Sequence, residues 1–319
     1  MNIDEQSPKP ARRWFRFSLK SLLLLVVVIA VPLAWKVNRA RNQRVVVAEL
    51  QKLNARIIYD YQIFNGDFNS RVPMPGPKWL TDLLGKEYFI EVYHVDADNP
   101  QVNDETIALI SKLPGVVSVD LTASNGITDA GLVHFAGMHD LEVLSLYSNR
   151  ISGPGVVHLA GLKRLKVLAL NSDRITSTEI VHLTGLKKLT DLVVQGWATD
   201  DSLEQISKLS NLEHLEFYET TQITDVGLSH VAKICNLRFL QLGSARLSDQ
   251  DFMKISDAGL IHLYGLKNLE SLGLNTMHVT QAGIDKLQKA LPNCKIDWNP
   301  KGPNESDAID AASDQQLEE

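Results

Sequence analysis

The sequence predicts an α/β solenoid, with parallel strands on a concave face, helices on a convex face and one transmembrane helix ahead of the stack. Three observations predict it. Apolar residues recur along most of the chain at a nearly fixed interval, the N-terminal end joins a basic cluster to an uncharged apolar run, and no catalytic motif interrupts either pattern. On this reading the 319 residues divide into a basic tail (1–13), a membrane span (14–35), a juxtamembrane helix with an N-terminal cap (36–88), the repeat domain (89–298) and an acidic disordered tail (299–319).

Charge separates the two ends. The first 56 residues hold 11 Lys/Arg against 3 Asp/Glu, whereas the rest of the chain holds 21 against 35. Binding to a nucleic acid draws its affinity from cations that neutralise phosphates, so an acidic body argues against that partner, and the basic end suits an anionic lipid surface. Cys235 and Cys294 are the two cysteines, too few for a disulfide framework, and are expected as free, partly buried thiols.

Residues 21–35 (SLLLLVVVIAVPLAW) are an uncharged run of 15, shorter than the roughly 20 a spanning helix needs. Counting from Trp14 to Trp35 gives 22, with Arg16 and Lys20 snorkelling and the two tryptophans at interfacial depth. Leu22, Leu25 and Val28 supply its apolar body, and Pro32 falls near the far end, where a lost hydrogen bond is best tolerated. A cleaved signal peptide has the same outline. Its cleavage site would be poor, because Pro32 stands beside both Ala30 and Ala34, so a retained single-pass anchor is expected. Five basic residues precede the span (Lys9, Arg12, Arg13, Arg16, Lys20) and five follow it (Lys36, Arg39, Arg41, Arg44, Lys52). The first set lies tighter against the helix, which favours a cytoplasmic N-terminus and repeats on the non-cytoplasmic side.

The repeat reads LEVLSLYSNRISGPGVVHLAGLKR from Leu141, LKVLALNSDRITSTEIVHLTGLKK from Leu165 and LTDLVVQGWATDDSLEQISKLSN from Leu189. Units starting at Ile90, Val116, Leu141, Leu165, Leu189, Leu212, Leu237 and Leu269 lie 26, 25, 24, 24, 23, 25 and 32 residues apart. In each, L-x-x-L-x-L alternates as a strand does, so Leu144 and Leu146 point inward while Val143, Ser145 and Tyr147 point outward. Thr128, Ser152, Thr176, Thr224 and Thr280 stand where a helix N-cap belongs. An acidic residue follows several of these caps, as in Thr128-Asp129, Thr224-Asp225 and Ser256-Asp257. Gly137, Gly161, Gly185 and Gly265 are read as left-handed helix ends. No unit can bury its own leucines, so stability comes only from stacking.

The pattern I-T-D-x-G-L-x-x-L-x-G-L, carried by ITDAGLVHFAGM and ITDVGLSHV, resembles the leucine-rich repeats of ribonuclease-inhibitor-like and cysteine-containing types. RRWFRFSLKSLLLL, NARIIYDYQ, PGPKWLTDLLG and LPNCKIDW together resemble membrane-anchored leucine-rich repeat proteins of planctomycete bacteria. That resemblance implies a bacterial single-pass protein and supplies no activity.

Stacks need covered ends. Residues 45–54 (VVVAELQKLN) are expected as a covering helix, 57–61 (IIYDY) as a first strand, RVPMPGP as a stiff loop and KWLTDLLG as a short helix ending at Gly85. Ile296-Asp297-Trp298 closes the other end. The unit from Leu237 is 32 residues long, and its excess is expected to leave the stack between residues 248 and 255.

Five histidines (His134, His158, His182, His230, His262) recur at one repeat position, but equivalent helix positions stand about 10 Å apart while zinc ligands lie about 2 Å from one centre. They are read as partly exposed helix-end residues, and His94, His139, His214 and His278 as scattered among strands and turns. Recurrent acids are read as caps (Asp129, Asp225) or solvated charges (Glu142, Glu213, Glu270). No nucleophile elbow, P-loop, dinucleotide fingerprint or zinc-protease helix occurs. The expectation is a non-catalytic module without metal, cofactor or small-molecule substrate.

Its partner is expected to be a protein or peptide on the concave face, with Tyr147, Tyr218 and Phe239 as aromatic anchors and Asn171, Gln195, Glu216 and Gln241 supplying polar contacts. A structural spacer at the envelope is the alternative. A receptor of the F-box type would need its own helical domain ahead of the repeats, where this chain carries the apolar run instead.

Overall fold

The computed structural model describes residues 19–64, 67–148, 150–243, 253–274 and 278–298. Trp14, the basic tail, residues 248–252 of the expected insertion and the acidic tail lie outside these.

The expected span and covering helix are one element. Helix α1 runs unbroken over Leu19–Lys52 with Pro32 inside it. Nothing between Lys36 and Arg44 ends a helix, since the segment KVNRARNQR holds neither Gly nor Pro and five Lys, Arg or Gln residues that helices accept readily. Its two halves differ in environment. Leu23, Leu24, Leu25, Val28, Ile29 and Trp35 are all exposed, whereas Ala40, Gln43, Val46, Val47 and Leu50 are buried at helical spacing against the cap. Gln43 donates its side-chain amide to the Ile90 carbonyl at 2.9 Å, so the one buried polar group on this face is satisfied.

The cap follows. Strand β1 (Arg56–Tyr59) leads through a 3₁₀ turn (Asp60–Gln62) to a short hairpin, β2 (Ile63–Phe64) with β3 (Asp67–Phe68), then to helix α2 (Lys78–Leu84) and a second 3₁₀ turn (Lys86–Tyr88). The expected first strand is thus shorter, because Asp60 and Tyr61 turn out of it. It also pairs antiparallel with its neighbour β4 (Val92–Asp96), unlike the parallel strands of the repeats. Gly85, at φ 88°, is where glycine is needed: a Cβ there would stand 1.6 Å from Nη2 of Arg44, which goes on to bind Glu87 at 3.0 Å.

From β4 (Val92–Asp96) the stack is regular. Strands β5 (Ser118–Leu121), β6 (Val143–Tyr147), β7 (Val167–Asn171), β8 (Asp191–Gln195), β9 (His214–Tyr218), β10 (Phe239–Leu242), β11 (Ser271–Leu274) and β12 (Lys295–Trp298) follow in spatial order, each parallel to the last. Their inward positions, among them Leu144, Leu146, Leu168, Leu192, Val194, Leu215 and Phe217, are buried. Between strands lie α3 (Asp104–Ile110), α4 (Asp129–Leu132), α5 (Gly153–Val156), α6 (Ser177–Ile180), α7 (Asp200–Ile206), α8 (Asp225–Val231), α9 (Asp257–Leu260) and α10 (Gln281–Ala290). Pairs such as Leu132–Phe135, Val156–Leu159 and Leu260–Leu263 close the core from that side. A fully buried leucine side chain contributes roughly 1.5–3 kcal/mol, so the stack draws most of its stability from these layers.

Two expectations about the turns are corrected. Gly137, Gly161, Gly185 and Gly265 do not adopt left-handed backbone. Each ends a 3₁₀ turn, and the next residue (Met138, Leu162, Leu186, Leu266) takes ψ between 63° and 75°. An i to i+2 hydrogen bond closes each, such as Lys163 N–H to the Gly161 carbonyl at 2.9 Å. That is an inverse γ-turn, which any L-residue adopts, and it aims the leucine into the core. In the repeats, positive φ occurs at Gly115, in the corresponding turn of the first unit, and just past strands at Gly196, Glu219 and Gly243.

The second correction concerns the acids after the caps. Thr128, Ser152, Thr176, Thr224, Ser256 and Thr280 stand at N-cap positions as expected, and Thr128, Thr224, Ser256 and Thr280 accept a backbone N–H of the following turn while Ser152 and Thr176 do not. The carboxylates that follow a cap reach across to the next unit. Asp104 accepts from Thr128, Asp129 from Ser152, Asp200 from Thr224, Asp225 from Ser256 and Asp257 from Thr280, each taking both the backbone N–H and the hydroxyl. The ladder lapses at Gly153 and Ser177, which have no carboxylate; there Thr176 turns to Glu179 and Thr178, and Thr199 pairs with Ser202 of its own helix. Buried Ser124, Ser148 and Ser172 add a second link, donating to the carbonyls of Ala97, Ile127 and Ile151.

The long unit rejoins the stack on both sides. Leu240 and Leu242 are buried before the break, and Met253 and Ile255 after it, with Ile255 taking the place of Ile127, Ile151 and Ile223 in the other units. Trp298 packs against the last core layer.

Candidate functional site

Strand register sets out the concave face row by row. One row runs Val143, Val167, Asp191, His214, Phe239, Ser271; the next Ser145, Ala169, Val193, Glu216, Gln241, Gly273; the third Tyr147, Asn171, Gln195, Tyr218. Parallel strands about 4.8 Å apart place equivalent side chains side by side. The seven expected contact residues therefore share one face across β6–β10. All seven are partly exposed, which leaves them able to meet a partner.

Several are already oriented by neighbours. The Tyr218 hydroxyl donates to Glu216, and Gln195 donates its amide to Glu219 at 2.7 Å. Phe239 and His214 rings lie 6.0 Å apart at 41°, and His214 also faces Asp191 at 3.2 Å. Gln241 differs from the expectation, since its side chain bonds the Gly243 carbonyl at 2.8 Å and fills the space a Cβ at Gly273 would need. It is engaged in covering a glycine. Of the other scattered histidines, His94 places Nδ1 2.8 Å from the Ser118 hydroxyl.

Electrostatics on this face are acidic. Partial burial raises the Asp120 carboxyl above its ordinary value, and Asp96 and Asp98 beside it add to the rise against the hydrogen bonds from Thr122. Burial also raises the Tyr147 and Tyr218 hydroxyls, reinforced by Asp120, Glu216 and Glu219 for the first and by the Glu216 hydrogen bond for the second. Both phenols are neutral donors at physiological pH.

Sequence reasoning missed Glu219. It stands in register with Gly196 yet is not glycine, and its backbone is left-handed at φ 53°. A left-handed L-residue costs roughly 1–2 kcal/mol. The signal was available in the alignment of VQGW with FYET, where a glutamate replaces the glycine. The expected solvated charges on the opposite flank are also paired: Glu142 receives Lys166 and Arg164 at 2.6 and 2.7 Å, which holds its carboxyl below the usual range, and Arg238 joins Glu270 at 2.7 Å.

No protein-family model and no curated protein matches the chain. Among solved structures, internalin C2 of Listeria monocytogenes aligns at 23% identity and a TM-score of 0.48, over 64% of this chain and 80% of the internalin. A second Listeria internalin aligns at 22% and 0.41, over 64% and 66%. A structure of yeast Rad7 in complex with Elc1 aligns at 18% and 0.41, over 91% and 95%. By its own geometry, one parallel strand and one helical turn per unit, the chain is a leucine-rich repeat solenoid.

Proposed function

We propose that the chain is a non-catalytic recognition module, anchored in a membrane by α1, that receives a protein or peptide on the concave face of β6–β10. The observation that carries the reading is the row Tyr147, Asn171, Gln195, Tyr218, whose aromatic ends flank two amides in strict register. Glu216 and Glu219 pre-orient two of these side chains, which lowers the ordering cost of binding. With Asp96, Asp120, Asp191, Glu216 and Glu219 around it, the face suits a segment bearing Lys or Arg.

Anchoring is supported by α1 itself. A soluble core helix buries an apolar stripe, whereas the apolar side chains from Leu23 to Leu33 are exposed on every side.

The test is site-directed photo-crosslinking of the full chain in native membranes. Cross-linkers at Tyr147 and Gln195 should give an adduct of one mass that a cross-linker at Val157, on the convex side, does not. The double substitution Tyr218→Ala with Phe239→Ala should weaken adduct formation about tenfold. Equal adducts from the convex position would overturn the reading, and saturable adducts from neither would favour the envelope spacer.

A further inference from the structure

Residues 68–83 expose four large apolar side chains: Phe68 at 54%, Met74 at 42%, Trp79 at 68% and Leu83 at 72%. Beyond α1, the other large apolar residues exposed among the described ones are β-branched, at Val133, Val157, Val181, Val226 and Ile261 on the convex side. Scattered single residues of that kind are ordinary on a surface, whereas a tryptophan and a leucine four apart on one helix form a face. No other element of the described chain covers it.

The position of this face along α1 indicates what does. The turn following α2 carries Tyr88, whose ring lies 4.7 Å from the Lys36 ammonium, and Glu87, which binds Arg44. The cap therefore meets α1 between residues 36 and 44, starting one residue past Trp35. At 1.5 Å per residue that contact lies within about 13 Å of the end of the apolar run. The polar layer on each side of a bilayer core is about 5–8 Å deep, so a cap attached there touches the headgroups. Lys78 begins α2, Lys86 lies in the turn after it, and Lys36 and Arg41 lie on the α1 segment that the cap meets. Among the described residues none of the four has a carboxylate partner within ion-pair distance, and Lys36 and Lys86 lie over the rings of Tyr88 and Tyr59 at 4.7 and 5.4 Å. Exposed apolar residues on an element that also carries cations without carboxylate partners fit an anionic lipid surface.

We propose that the cap is a second membrane-contacting element: α2 lies in the headgroup layer of the bilayer that α1 crosses, with Trp79 and Leu83 in the acyl boundary and the four cations on anionic headgroups. This rests on the anchoring reading above. The solenoid is then held by a span and an interfacial foot together, which sets its orientation to the membrane.

The test uses the full chain with Cys235→Ser and Cys294→Ala, reconstituted into vesicles of phosphatidylcholine and phosphatidylglycerol. An environment-sensitive dye is placed in turn on Trp79→Cys, Leu83→Cys, Val31→Cys and Val133→Cys. Dyes at 79 and 83 should shift to the blue and be quenched by lipids carrying a shallow nitroxide, and the dye at 133 should respond only to an aqueous quencher. The dye at 31 reports the span. If 31 is quenched from the lipid while 79 and 83 respond as 133 does, the chain is anchored and the foot is overturned. Dyes at 79 and 83 that are shielded from both quenchers in proportion to protein density would place a second copy on the face, which also overturns it. Loss of lipid quenching at 31 would overturn the anchor and the foot alike.

Discussion

The carboxylate of Asp257 occupies the space that a side chain at Gly283 would need, its Oδ1 standing 2.1 Å from where that Cβ would be. The same carboxylate accepts the backbone N–H and hydroxyl of Thr280 at 2.8 and 2.6 Å. The T-D-x-G spacing follows from this. The threonine of one unit is bound by the aspartate of the unit before, and the glycine leaves room for that aspartate. Gly131, Gly155, Gly227 and Gly259 stand over Asp104, Asp129, Asp200 and Asp225 in the same way.

Gly283→Ala is therefore expected to destabilise the fold by roughly 1–3 kcal/mol through overpacking. Asp257→Ala also destabilises it, by the loss of two charge-assisted hydrogen bonds. The double variant should be less destabilised than the two effects added, with a coupling of about 0.5–3 kcal/mol in urea titrations. Additive losses would mean that the two residues do not share that space.

The ladder also makes stability depend on pH. Hydrogen bonds from Thr280 hold the Asp257 carboxyl below its ordinary value. A carboxyl lowered in the folded state stabilises it above the unfolded value of about 3.9 and loses that contribution as pH falls through the lowered folded value. The gap in urea midpoint between the parent chain and Asp257→Ala should thus be widest near pH 7 and narrow below about pH 4. A gap that widens on acidification would reverse the sign of this linkage.

Inward strand positions set the core. Leu144→Ala or Leu168→Ala, at side chains 0% exposed, should cost roughly 2–5 kcal/mol through cavity formation. Losses below about 0.5 kcal/mol at both sites would contradict the register.

Glu219 separates stability from binding. Glu219→Gly relieves a left-handed backbone and should raise stability by up to about 1 kcal/mol, while releasing the Gln195 amide and weakening adduct formation at the concave face. A variant that is more stable and binds unchanged would remove Glu219 from the site.

The full chain should stay with membranes through high-salt and carbonate washes. Recovery of a soluble form beginning near Val31 or Trp35 would instead identify a signal peptide. Protease accessibility of the repeats in intact cells then reports which side they face.

Sequence periodicity was enough to place the inward leucines, the capping hydroxyls and the three concave rows, because in-register parallel strands carry one unit's alternation to every other. What it hid lay between units. Asp129 reads as an ordinary helix-start acid within its own repeat, and only stacking shows that it serves Ser152, 23 residues on. Gly161 reads as a left-handed cap because glycine after a helix usually is one, whereas here the turn is closed by Leu162. The continuity of α1 was masked by a change of environment at Lys36 that is not a change of conformation.

Because units of a stack hold only their neighbours, its cooperativity is as strong as the couplings between them. The carboxylate ladder has its gap between Ser152 and Thr199, where two successive links are missing and Ser172 and Trp197 donate across to the carbonyls of Ile151 and Leu170 instead. This seam should be where the array first parts into two folding blocks, and hydrogen exchange at Thr176 and Thr199 should exceed that at Thr224 and Ser256. It also runs through the proposed recognition surface. Tyr147 belongs to the block before it and Tyr218 to the block after, so flexing at the seam would change the spacing of the two proposed anchors and would let the proposed surface fit segments of different breadth.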